Sequence, residues 1–533
     1  MFTNLFEFWV LSNYFSKNLF LLWAKNRSTQ FWDTLFTMKL LIGTLLFVLL
    51  FSACNRHFDP NKTYNIEEIR ADYALMRRAL EEAHPGLHRY TAPDSLKMVF
   101  EQIEKQLNRP MTEREFRRVV TPVFASIGCG HSDIYASKGY VKYNKRNKPK
   151  EFPLTPYWSQ NKLRIMQNRT NDTTLTAGTE IVELDGQPAA KVIADMQLLI
   201  PSDGYNKTYK NVVINNNFGP FYRFMSGKID TFRVVVKDTA GRLRALRLAF
   251  NNPPRKVKKS TPTAPPPKLS PVIPLPTPKV NPKISKADLR RNLTFSEKDS
   301  SLAILDINTF RDHGFKRFYR RSFKTLQQRN TKNLVIDLRN NGGGRSDASV
   351  NLMSYLLDSA FVVYRQVEAP VAKPSFNKYL GWKFLRFGVR NFWSKRTPTG
   401  GLLNRATGKI HQPNRKYHFD GRVFVLTNGG SFSASAIFAS IVQQHGRVRT
   451  VGRETGGGRY GCNAFVSPML TLPITKTQVR MPMFKIVLEV PGKDAGHGVM
   501  PDFPVEFRFE DALKNRDLDL EKVEELLKTK QFQ

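Results

Sequence analysis

The run Gly429-Gly430-Ser431-Phe432-Ser433-Ala434-Ser435 places three hydroxyls beside two glycines. It follows an apolar stretch, Val423–Thr427, and precedes a segment in which Ile437, Phe438, Ile441 and Val442 share one helical face. A short polar turn between a buried strand and a helix start exposes a side-chain oxygen. The helix N-terminus adds unpaired backbone N–H groups and a partial positive charge, which favour a developing oxyanion. The chemistry this pattern suggests is nucleophilic attack by a serine hydroxyl, with Ser433 as the nucleophile.

Other segments carry groups of matching character. Gly128-Cys129-Gly130-His131-Ser132 is a glycine-flanked turn that presents an imidazole. A histidine titrates near neutrality, which suits taking and returning a proton at working pH. Asp337-Leu338-Arg339-Asn340-Asn341-Gly342-Gly343-Gly344 reads as a strand end running into a glycine-rich turn. Gly456-Gly457-Gly458 makes a second glycine loop, and Gly498-Val499-Met500-Pro501-Asp502 lies near the end. With neither a His-Glu-x-x-His run nor a cysteine pair at zinc spacing, the sequence calls for no metal and no cofactor.

The elements that must position these groups are legible in outline. Asn65 with Glu68, and Thr112 with Glu115, form capping-box patterns that open two amphipathic helices. The first carries the stripe Ile66, Ile69, Tyr73, Met76, Leu80 and stops at His84-Pro85-Gly86. The second carries Phe116, Val119, Val120, Val123, Phe124 and Ile127; Pro122 is expected to kink it and Gly128 to end it. Leu163–Met166, Glu180–Leu184, Phe232–Val236 and Leu243–Phe250 read as strands, with Asp185-Gly186 as a turn and a helix through Ile193–Met196. Residues 253–282 hold eleven of the 32 prolines among Lys, Ser and Thr, a polyproline-type tether. Leu302–Ile307 and Leu334–Leu338 read as buried strands, a helix is expected near Ala348–Leu357, and 365–415 is a basic, aromatic insertion of poor periodicity.

The division is therefore 1–54 as an upstream extension and signal, 62–148 as a helical segment, 150–251 as a β module, 252–290 as linker, 295–515 as the core and 516–533 as a terminal helix. Within the first part, Lys39, the apolar run Leu40–Phe51 and Phe51-Ser52-Ala53-Cys54 resemble a bacterial lipoprotein signal with Cys54 as the lipidated residue and Met38 as the natural start. That reading places the protein in a bacterial cell envelope, lipid-anchored to a membrane and facing the periplasm or exterior. The 83 Lys and Arg against 45 Asp and Glu give a formal charge of +38. The excess is dispersed and accompanies no nucleic-acid-binding motif, so it reads as a basic surface facing anionic envelope material and not as a specific nucleic-acid site.

Taken together, His84-Pro85-Gly86-Leu87, Ile127–Ser132, the β module, Asp337–Gly344, Ser431–Ser435, Val451–Gly458 and Gly498–Asp502 resemble, in order and spacing, the C-terminal processing (tail-specific) serine peptidase family, in the clade that includes the tricorn core protease. The resemblance implies an α/β, crotonase-like core with an N-terminal helical segment and a PDZ-like module. It implies a serine endopeptidase that forms an acyl-enzyme on peptide or protein substrates; a peptide- or ligand-binding pseudo-peptidase on the same fold is the alternative. The lysine that serves as base in tail-specific members, about 25 residues after the nucleophile, is absent, since Gly458 occupies that place. The tricorn-like version makes His131 the base and Ser132 a residue that relays or orients it. The same resemblance selects Ser433 over Ser431 and Ser435 and implies Gly343 and Ala434 as oxyanion donors. It leaves the third carboxylate between Asp494 and Glu454. Cys129 and Cys462 flank these segments and depart from the family pattern; a disulfide between them and a pair of buried thiols are both open.

Overall fold

The computed structural model describes residues 58–529 except 228–229, 239, 252–290, 298 and 515. The signal-like segment with Cys54 and the Pro-rich linker lie outside the described residues. From Pro60 onward the chain clusters as one unit of mixed α/β architecture.

Its centre is a six-stranded sheet in the order Arg291–Phe295, Leu302–Ile307, Asn333–Asp337, Arg422–Thr427, Val448–Gly452, Phe503–Pro504. The first pair is antiparallel and the remaining four are parallel. Asn333–Asp337 is buried along its whole length, as a parallel strand covered on both faces must be. Helices Phe315–Gln328, Ser346–Met353 and Ala434–Val442 contribute Phe323, Leu352 and Phe438 to the main apolar cluster on one face; Val523 and Leu526 of the terminal helix Leu518–Lys528 cover the other. Helix Phe315–Gln328 buries Phe315, Tyr319, Phe323 and Leu326 and turns its lysines and arginines outward, so the basic stretch around it is a solvated helix face.

Both expected capping boxes form. Asn65 opens helix Ile66–Ala83 and Thr112 opens Glu113–Ile127, which Gly128 ends in the left-handed conformation (φ 69°). Helix Glu113–Ile127 continues through Pro122, and the Thr121 hydroxyl bonds the Arg117 carbonyl at 2.7 Å. A break occurs at Asn217 (φ −138°, ψ 27°), just before Pro220 in helix Thr208–Ser226. The sequence did not suggest this helix, because Asn, Gly and Pro dilute its apolar pattern. The N-terminal helices share their core with Phe376, Leu380, Leu470, Leu472, Val479 and Met481, far along the chain. The β module is a six-stranded antiparallel sheet in the order Leu154–Ser159, Lys162–Asn168, Glu180–Leu184, Thr231–Lys237, Leu243–Ala249, with Gln187–Pro188 also paired to Glu180–Leu184, packed on helices Ala189–Gln197 and Thr208–Ser226. The helix expected at Ala348–Leu357 starts and ends earlier, at Ser346–Met353.

One buried ion cluster ties the terminal helix to the central sheet. Arg339, just past the end of strand Asn333–Asp337, bonds Asp337 (2.6 Å), Asp517 (2.7 Å) and Asp519 (2.9 Å). Removing the cation leaves Asp337, Asp517 and Asp519 close together, with Arg453 still paired to Asp519 at 3.4 Å. Arg339→Ala is expected to lower unfolding stability by about 3–5 kcal/mol, measured as a lower urea midpoint at unchanged slope.

Candidate active site

The strand Arg422–Thr427 delivers the chain to Asn428, whose carbonyl accepts the Ser431 N–H at 2.8 Å. Within this turn the Ser431 hydroxyl donates to the Leu338 carbonyl (2.8 Å) and accepts the Asn428 N–H (3.1 Å). That hydroxyl is buried and committed to joining the turn to the neighbouring strand end. Ser435 is also buried, with a hydroxyl that has no hydrogen-bond partner among the described residues. Ser433 alone of the three is partly exposed.

Ser433 sits immediately before helix Ala434–Val442 with φ 56° and ψ −121°. A residue with a Cβ holds such a backbone only where its surroundings enforce it, at a cost of about 1–3 kcal/mol. The geometry is that of a sharp strand-to-helix turn that pushes the side chain outward. Two glycine loops enforce it. A Cβ on Gly343 would lie 2.6 Å from the Phe432 carbonyl oxygen and 2.7 Å from Ser433 Cβ. A Cβ on Gly457 would lie 2.9 Å from the Ser433 nitrogen.

The His131 loop reaches this turn from 302 residues away in sequence: His131 Nε2 lies 3.2 Å from Ser433 Oγ. Three contacts outside the turn hold the loop. Arg480 donates to the carbonyls of His131 (2.5 Å) and Gly130 (2.8 Å) from the strand paired with Asp133–Tyr135. Buried Asp203 accepts the N–H groups of Gly130 (2.9 Å) and Gly458 (3.3 Å), joining the histidine loop to the triple-glycine loop. Phe432 stacks between His131 and Tyr209, with ring centroids 4.8 Å apart on each side.

Burial, with the Arg480 cation adding to it, pushes His131 down to about 3, so the imidazole is neutral at ordinary pH. Burial pushes Asp203 up to about 6 against the opposing pull of the two N–H groups it accepts.

Several expected partners stand elsewhere. Asp494 bonds Arg89 (2.7 Å), Tyr90 (3.1 Å) and the Gly496 N–H (3.0 Å), while Glu454 accepts from Gly498 N–H (2.9 Å) and meets His497 (3.3 Å). Neither carboxylate bonds His131, whose Nδ1 is buried and has no hydrogen-bond partner among the described residues. Arg89, from the N-terminal segment, claims Asp494 as its counter-ion. Ser132 makes its contacts away from His131: it bonds His84 Nε2 at 2.8 Å and donates to Cys129 Sγ at 3.3 Å. His84 Nδ1 accepts the Gly86 N–H (3.3 Å), which fixes the His84 proton on Nε2. Cys129 and Cys462 are buried free thiols, so the bridge between them is absent; burial raises both above the usual thiol range. Of the two oxyanion donors, Ala434 is the first helical residue, where an N–H has no intrahelical acceptor. The Gly343 N–H instead donates to Asn341 Oδ1 at 2.9 Å.

Asp203, Arg480, Phe432 and Tyr209 were not foreseen. The only signal was Phe432's place beside Ser433, because the others act on the site from segments with no local motif.

Residues 301–505 match the model of Peptidase family S41, a span containing the serine turn and both glycine loops. That span of the chain is similar to Peptidase family S41. The protein is a serine-type peptidase, a hydrolase. The solved structure of mature CPAF superposes with a TM-score of 0.57 at 14% identity, covering 87% of this chain and 97% of that one. Mature CPAF complexed with lactacystin gives 0.58 at 15%, covering 87% and 98%. These likenesses bear on the fold. No curated protein sequence matches.

The strained turn has a measurable signature. Ser433→Gly relieves the positive φ, whereas Ser433→Ala keeps it. The glycine variant is expected to be more stable than the alanine variant by about 1 kcal/mol, read from denaturant midpoints, with both equally inactive.

Proposed function

We propose that this peptidase cleaves peptide bonds through an acyl-enzyme at Ser433, with His131 as the general base. The observation that carries the reading is the 3.2 Å contact between Ser433 Oγ and a neutral His131 Nε2. Oγ attacks the scissile carbonyl as its proton passes to Nε2; the carbonyl oxygen becomes an oxyanion facing the Ala434 N–H and the helix N-terminus. His131 then gives the proton to the leaving amine, and water repeats the sequence to release the acid.

Base catalysis needs the Nε2 lone pair free, hence the proton on Nδ1. In this reading the stacking on Phe432 does the orienting work that a carboxylate does in a triad. The Gly343 turn sets the shape of the cleft, and the committed N–H of Gly343 joins the oxyanion site when Asn341 releases it.

The central sheet is read as crotonase-like and the β module as PDZ-like. Strand Leu154–Ser159 is an edge of its sheet beside helix Thr208–Ser226, and the two line a cavity of about 720 Å³ with Lys148, Arg169 and Arg223 at its wall. An extended peptide with a terminal carboxylate suits such a site. Substrates are proposed to be envelope proteins or peptides, with the enzyme held at the membrane through Cys54; the lipobox-like sequence supports this.

Labelling of the full chain by a fluorophosphonate tests the nucleophile, and a mixed peptide library read by mass spectrometry tests the reaction. Ser433→Ala is expected to abolish labelling, and His131→Ala to slow labelling and cleavage by about 10³-fold or more. Undiminished cleavage by either variant overturns the assignment.

A further inference from the structure

The insertion between Tyr364–Ala369 and Arg422–Thr427 carries a surface that peptide hydrolysis does not use. Between Glu368 and Asp420 the chain has eleven Lys and Arg residues and no Asp or Glu. Within it, helix Lys383–Asn391 packs in an unusual sense. Its inward residues are Arg386 and Val389. The Arg386 guanidinium donates to the carbonyls of Gly381 (2.8 Å) and Leu380 (3.1 Å) and to the Asn377 side chain, pinning the helix to the loop before it. Besides Lys383 and Asn391, its outward residues, with the two ends of the helix, are aromatic and aliphatic: Trp382, Phe384, Leu385, Phe387, Phe392 and Trp393 are 40–86% exposed, Phe384 the most.

An ordinary solvated face would carry its charges outward and its rings inward, so this cluster is a contiguous apolar patch that needs a partner. Lys378, Lys383, Arg390, Lys395 and Arg396 flank these residues in sequence, and Arg390 lies over the Phe387 ring. Aromatic side chains interleaved with cations match the boundary between acyl chains and anionic headgroups: rings enter the interface, and long cationic side chains reach back to phosphate.

We propose that this patch docks the enzyme on an anionic phospholipid bilayer. Charge complementarity selects that partner, since a stretch of 51 residues without one carboxylate repels nothing on such a surface. The rings are ill placed for stacking nucleotide bases. Phe387 and Phe392 meet edge to face at 6.0 Å, and Arg390 lies over the Phe387 ring. Docking here also bears on the site. Leu380 bridges Leu470, whose strand Met469–Thr471 pairs with Gln478–Arg480, and Arg480 holds the His131 loop. The patch is thus built onto the small sheet that carries the proposed base.

The test uses the full chain with vesicles of phosphatidylcholine, with and without roughly 30% phosphatidylglycerol. Brominated acyl chains quench tryptophans that enter the interface, and the difference between wild type and W382F/W393F reads the patch apart from Trp9, Trp23 and Trp32 of the N-terminal segment. Tryptophan quenching by the anionic vesicles is expected, and W382F/W393F is expected to lose a measurable part of it while keeping its thermal midpoint. F384S/F387S is expected to weaken partition into anionic vesicles by about tenfold, and K383E/R390E/K395E by about a hundredfold, at low salt. Equal quenching in wild type and W382F/W393F overturns the proposal. So does equal partition into neutral and anionic vesicles. A shift from dimer to monomer in F384S/F387S, or oligonucleotide binding lost in that variant, with no change at vesicles, would assign the patch to a second copy or to nucleic acid and overturn it equally.

Discussion

Everything in this molecule converges on bringing one imidazole, at the end of an N-terminal helical segment, within proton-transfer reach of one hydroxyl 302 residues later. No local sequence can enforce such a contact. It rests on packing that crosses the chain several times: the N-terminal helices share a core with Leu470 and Val479, Arg480 holds the His131 loop by its carbonyls, and Asp203 ties that loop to the triple-glycine turn. The strained Ser433 backbone is the complementary half. Its positive φ is tolerable because Gly343 and Gly457 let two other loops press against it.

The site also shows how an imidazole is oriented without a carboxylate. His131 Nδ1 has no hydrogen-bond partner among the described residues, whereas the ring lies against Phe432, itself backed by Tyr209. Stacking fixes the ring plane, and low solvation keeps the imidazole neutral over a wide range. A buried carboxylate would hold the proton on Nδ1 more firmly but would draw the imidazole toward the charged state. Its absence trades tautomer control for an imidazole that does not protonate in mild acid.

How much of this was legible in sequence follows the range of the forces involved. Capping boxes and the αL glycine at 128 are local, and they formed as expected. The strands Leu302–Ile307 and Asn333–Asp337 were visible as apolar runs. Ser433 and His131 stood out because glycines flank them. The residues that decide geometry did not: Asp203 looks like any turn aspartate, and Arg480 like any strand cation, until their distant carbonyl and N–H partners are seen. Asp494 and Ser132 bond other partners than the expected one for the same reason. Arg89 and His84, both from the N-terminal segment, compete for them across the fold. The helix Thr208–Ser226 escaped because tertiary packing overrode its poor propensities.

The most direct measurement is the ¹⁵N imidazole spectrum of His131, identified by its loss in His131→Ala. His131 is held below its unfolded value, so the unfolded state binds a proton that the native state refuses between about pH 6.5 and 3, and stability falls as pH drops through that window. The account predicts a neutral ring with the proton on Nδ1 from pH 8 down to about pH 4, without a strongly deshielded Nδ1 proton. A ring that titrates near pH 6.5, or an Nδ1 proton shifted far downfield by a carboxylate, would contradict it.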